Sequence, residues 1–142
     1  VDGASVEIVP DMQGDVADAP VNSVVWIPSL RTLVAGDLVF DRVHLWLDKS
    51  TPATLAAWRA ALAKLQAMDA AIVVPGHAPQ DGGSRDPSLI AQNIAYLEAF
   101  DRALAASTEA EPFVAAMKTA YPDFAHTLFL EYAARGLYAK AG

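Results

Sequence analysis

The chain has 142 residues, enough for one domain that buries roughly 70% of its unfolded surface, and a hydrophobic content of 54% excludes a disordered segment. A net charge of −7, with the basic residues spread singly, leaves no track for nucleic acid. No apolar run approaches the roughly 20 residues of a membrane span, and the absence of cysteine means that any zinc must be held by histidines and carboxylates.

In chain order, the alternation Ser5-Val6-Glu7-Ile8-Val9 predicts a strand with one exposed face, the continuation of a sheet begun upstream. Asp11 to Pro20 reads as an acidic loop with Gly14 and three aspartates, Asp11, Asp15 and Asp18. It is either a solvated loop or one that turns Asp15 toward a metal. Two short strands follow, Ser23 to Pro28 and Arg31 to Val34, ending at the corner Gly36-Asp37. A carboxylate fixed at such a bend serves either as a plain turn residue or as a metal ligand or general base. After it, Asp41 to Leu47 carries His44 and Trp46 among apolar residues.

Ser50-Thr51-Pro52 is a helix start, a hydroxyl cap followed by proline where the missing N–H costs nothing, and Leu55, Trp58, Leu62 and Leu65 recur at helical spacing. Asp69 closes that helix, and the buried strand Ile72-Val73-Val74 stops at Pro75-Gly76 and delivers His77 just past its end. Strand, helix and strand make a crossover, which is right-handed almost without exception. The strands bearing Asp37 and His77 are therefore expected to be parallel, with both residues on one edge. Gln80 to Arg85 is a turn-rich loop; Asp86-Pro87 opens a long helix to about Ala106. Its apolar side carries Ile90, Ile94, Leu97 and Leu104. Glu111-Pro112 starts a third helix, and Tyr121-Pro122-Asp123 breaks it and caps a fourth, lined by Phe124, Leu128 and Tyr132.

Together the Gly36-Asp37 corner, the helix from Thr51 and the strand ending Pro75-Gly76-His77 resemble the C-terminal half of the metallo-β-lactamase-fold hydrolases, over roughly Val21 to Ala78. The resemblance implies an α/β fold: the C-terminal half of an αββα sandwich in residues 1–80, with additional C-terminal helices in 81–142 packed on it. It implies that Asp37 bridges two metal ions, usually zinc, that His77 binds the second, and that Asp15 stands near where the family places a further histidine. It also carries His44 and Trp46 along the rim of the active site, where each either lines a substrate pocket or serves as a packing residue, His44 then hydrogen-bonded inside. The family's His-x-His-x-Asp-His motif is not in this sequence, whose only histidines are His44, His77 and His126, and Ala78 replaces a common glycine.

The expected function is the C-terminal portion of a zinc-dependent hydrolase acting on an ester, lactone, thioester or β-lactam type of small molecule. With two firm ligands and Asp15, the chain alone is expected to bind zinc weakly and to be inactive. Half of a two-sheet sandwich exposes an apolar sheet face, so the missing N-terminal half or self-association is expected to cover it, with no nucleic-acid or membrane partner. A soluble protein, cytoplasmic or exported after signal removal, fits the composition. The alternative is a non-catalytic interaction domain derived from the same fold.

Overall fold

The computed structural model describes residues 3, 5–15 and 20–139. The chain forms β1 (Glu7–Met12), β2 (Asn22–Ile27), a short 3-10 turn (Pro28–Leu30), β3 (Thr32–Phe40), α1 (Pro52–Ala67) and β4 (Ile72–His77). Three helices follow: α2 (Ser88–Ala106), α3 (Ala110–Ala120) and α4 (Thr127–Tyr138). The strands make one sheet in the order β1-β2-β3-β4. Its first two pairings are antiparallel and the β3–β4 pairing is parallel, as the crossover through α1 requires.

Register explains which residues form the core. Trp26 faces Leu33, which faces Val73; the next row is Ile8, Val25, Val34 and Val74. Successive residues of a strand point to opposite faces, so these rows alternate. On one face Val24, Leu33, Ala35 and Val73 are fully buried beneath Leu55, Trp58, Leu62 and Leu65 of α1 and Leu97 and Phe100 of α2. On the other, Val6, Ile8, Val34 and Ile72 are 51%, 70%, 38% and 41% exposed. The helices therefore cover one face of an apolar sheet and leave the second open. Among the described residues no helix is long and apolar enough to cross a membrane.

The start of α1 follows its sequence signal. Thr51 Oγ1 accepts the Thr54 N–H at 3.2 Å while Thr54 Oγ1 accepts the Thr51 N–H at 2.8 Å, a reciprocal cap ahead of Pro52.

Other boundaries differ from the sequence expectation. β1 runs on to Met12, so Asp11 sits at a register shift with φ 58° instead of opening a loop; Asp18 lies outside the described residues. β3 does not end at Gly36-Asp37 but continues to Phe40, because Gly36 takes φ 52° and absorbs the bend within the strand. The fourth helix starts at Thr127, not at Pro122-Asp123. A turn at 122–123 is followed by Ala125, whose backbone pairs with Arg42 and His44 (2.9 Å each way) at the exit of β3, and His126 then turns into the helix with φ 57°.

Candidate functional site

The parallel strands β3 and β4 run out at the same edge of the sheet, and there the register slips. Gly36 pairs with Pro75 and Phe40 with His77, so β3 uses more residues than β4 over the same distance. The excess bows Asp37 out of the pleat. Asp37 Oδ1 thereby lies 3.1 Å from His77 Nε2, with the two side chains 47% and 37% exposed.

Two glycines make this approach possible. A Cβ on Gly76 would stand 2.5 Å and 2.6 Å from the Gly36 carbonyl carbon and oxygen and 2.7 Å from Asp37 Oδ1, so any larger residue would push the strands apart. A Cβ on Gly14 would stand 3.0 Å from the Asp37 carbonyl oxygen and 2.5 Å from Asn22 Nδ2. The segment after β1 therefore packs directly on Asp37, and it brings Asp15 with it.

Asp15 is half-buried beside the pair. Burial, then the Asp37 carboxylate, push its carboxyl above the usual 3.8, while the Asn22 side chain and His77 act in the opposite sense. Asp15 Oδ1 is shut off from solvent and, among the described residues, has no hydrogen-bonding partner. Charged groups in that condition call for a proton or a cation.

The imidazole of His77 is held on several sides. Its ring stacks on Phe40 (4.7 Å between centroids, 22° between planes) and meets Phe129 of α4 edge-on at 6.1 Å. Its carbonyl accepts the Asp41 N–H at 2.9 Å. The Asp41 carboxylate, 2% exposed, accepts the Ser84 N–H, and neighbouring Arg42 pairs with Asp81 at 3.1 Å, so the loop following His77 is tied back to the end of β3.

His44 does not reach this rim. It is fully buried, with Nδ1 2.8 Å from the Tyr96 hydroxyl and ring edges against Tyr96 and Phe124; Nε2 has no partner. Burial, then Lys118, push it down to about 4, so it is neutral at physiological pH. It serves as an interior packing group and has no surface to offer a substrate pocket. Trp46 is half-buried against Phe129 and Tyr132, and exposed His126 stacks on Phe129.

Zinc donors sharing one ion at bonds of about 2.0–2.2 Å and tetrahedral angles stand about 3.3 Å apart. The 3.1 Å contact of Asp37 and His77 fits two such donors, and the partnerless Asp15 oxygen is a suitable third in kind. Among the described residues, however, no three His, Cys, Asp or Glu side chains converge closely enough to hold an ion.

Sequence reasoning passed over the roles of Asp41 and Gly76. A carboxylate directly after a buried strand was the available signal for the first.

A family model described as the metallo-beta-lactamase superfamily matches residues 14–77. A search of curated proteins found no significant match. Among solved structures, a metallo-beta-lactamase from Pontibacter korlensis superposes with a TM-score of 0.52 at 29% identity, over 69% of this chain and 43% of its own. Two others are each 20% identical and speak to the fold alone. A metallo-beta-lactamase family protein from Thermus thermophilus has a TM-score of 0.63 over 93% of this chain and 44% of its own. A beta-lactamase domain protein from Burkholderia ambifaria reaches 0.60 over 99% and 43%. This chain spans less than half the length of each.

Proposed function

We propose, on the premise that residues 14–77 belong to the metallo-β-lactamase superfamily, that the chain is the C-terminal portion of a zinc-dependent hydrolase of small-molecule esters, lactones, thioesters or β-lactams. The observation that supports this best is the approach of Asp37 to His77 at the shared exit of two parallel strands. In this reading Asp37 and His77, through Nε2, would hold the zinc, and Asp15 would supply a further oxygen. Bound zinc would furnish hydroxide at neutral pH and polarise the carbonyl under attack. The chain's own part is to fix the donors: Gly76 permits the approach, Phe40 orients the imidazole, and Asp41 holds the loop behind it.

The open sheet face supports a companion proposal. Val6, Ile8, Val34 and Ile72 form an apolar surface of the kind that a second sheet buries in a sandwich. The missing N-terminal half is its natural cover, and self-association of this chain takes its place when that half is absent. A second reading, a non-catalytic interaction domain, is favoured by the lack of any three-donor cluster among the described residues.

Metal analysis after dialysis against metal-free buffer tests the first reading. The chain alone should retain less than one zinc and hydrolyse no ester or β-lactam above background, and joining it to a segment that supplies the missing histidines should restore both. A tightly held dinuclear centre in the chain alone would contradict the fragment reading; no gain of metal or activity after joining would favour the interaction domain.

A further inference from the structure

Asn93 is a buried amide in the middle of an apolar helix face, flanked by Leu89, Ile90, Tyr96 and Leu97, and only 2% of it is exposed. An amide in such a place must satisfy its donors and acceptor inside the protein. It does so on one residue of the sheet. Asn93 Oδ1 accepts the Phe40 N–H at 3.0 Å, and Nδ2 donates to the Phe40 carbonyl at 2.7 Å and to Leu89 O of its own helix at 2.8 Å.

The pattern copies what a neighbouring strand would provide. β2 pairs with β3 only as far as Val34, so the stretch of β3 that carries the site has β4 on one side and, among the described residues, no strand on the other. Phe40, at its very end, would leave both peptide groups unpaired in the interior, and Asn93 takes the place of the absent strand. Phe40 in turn is the residue in register with His77 and the ring on which the imidazole lies. Its other neighbour, Trp58, donates Nε1–H to Leu38 O at 3.0 Å and closes the ring in from the α1 side.

We propose that Asn93 is a positioning residue for the metal-ligating imidazole: it locks the backbone of Phe40, whose ring sets the plane in which His77 presents Nε2 to the ion. The inference rests on the functional reading of His77, and it adds a residue of α2, beyond the matched segment, to the machinery of the site. A donor held in a single orientation loses less freedom on binding, so the effect belongs in affinity as well as in geometry.

Two readouts on the protein test this separately from any catalysis. The first is the displacement of the His77 ring-proton resonances by the Phe40 ring current, read by NMR without metal. The second is zinc affinity by chelator competition. Asn93→Leu and Asn93→Ala should each lose at least half of the displacement and bind zinc at least tenfold more weakly, with helical content unchanged. The alanine variant admits water to the freed peptide groups and carries the test if the leucine variant does not fold. Phe40→Leu should weaken zinc to a similar degree while leaving Asn93 in place, and Leu62→Ala, a core truncation on α1, should lower stability without moving either readout. An unchanged His77 displacement in whichever Asn93 variant folds, or wild-type zinc affinity in Phe40→Leu, overturns the proposal. If the chain alone binds no zinc, the affinity comparison is made on the chain joined to a segment that supplies the missing histidines, and no zinc there fails the functional reading, while the ring-current comparison still decides whether Asn93 orients His77.

Discussion

Two histidines that leave the same part of the sheet meet opposite surroundings. His77 lies at the rim, more than a third exposed, with a carboxylate 3.1 Å from Nε2 and an aromatic ring beneath it. His44, four residues past Phe40 in the chain, is sealed inside with the Tyr96 hydroxyl as its hydrogen-bonding partner. The residue type is the same and the strand exit is shared, so the difference comes from what covers each side chain. The Gly36 bulge and Gly76 let the two strands meet closely at the rim with Asp37 and His77 still reaching solvent, while α2 and the 121–125 segment close over His44. One imidazole stays at the surface beside a carboxylate, and the other is committed to packing.

The sharpest way to break the contrast is to overfill the close contact at the rim. Gly76→Ala places a methyl against the Gly36 backbone, and overpacking between two strands that cannot move without unpairing should cost about 3 kcal/mol. Thermal unfolding should show the loss, and the Asp37–His77 contact should separate in the same variant.

Acid should act on the interior histidine. The fold holds His44 at about 4 against 6.5 for the free side chain, so the unfolded chain binds more protons between those values. Stability is then fully present above pH 6.5 and is lost as the pH falls toward and past 4, by about 3 kcal/mol in all. His44→Asn keeps a partner for Tyr96 and removes the titration. Urea unfolding of that variant across the same range should lack this component.

Much of this frame was legible in the sequence because it depends on local chemistry. Thr51-Pro52 signalled the start of α1, and the β-α-β order fixed parallel strands and a common edge for residues 37 and 77. What the sequence hid depends on distant neighbours. Gly36 looked like a stop because its positive φ is a turn signal, yet β4 keeps pairing beyond it as far as Phe40. Pro122-Asp123 looked like a helix cap, but pairing of Ala125 with Arg42 and His44 outweighs that preference. Asn93 carried no signal of its role in the sequence, since its partner Phe40 lies 53 residues away.

Smaller effects sharpen the contrast from the rim side. Asp37→Asn removes one partner of a half-exposed pair, which should change stability by no more than about 0.5 kcal/mol while abolishing zinc-induced changes at His77. Ile8→Lys, at a position 70% exposed on the open face, should leave unfolding within about 0.5 kcal/mol of wild type. Light scattering should nevertheless show less self-association, because the charge lands in the proposed contact.

The histidine resonances themselves provide the most direct measurement. In a zinc titration followed by imidazole NMR, His77 should respond first, together with the backbone amides of Asp37 and Asp15, while buried His44 stays unmoved and His126 follows only at large excess. A response led by His126, or a His77 response that survives in Asp37→Asn, would contradict a metal site shared by the ends of β3 and β4.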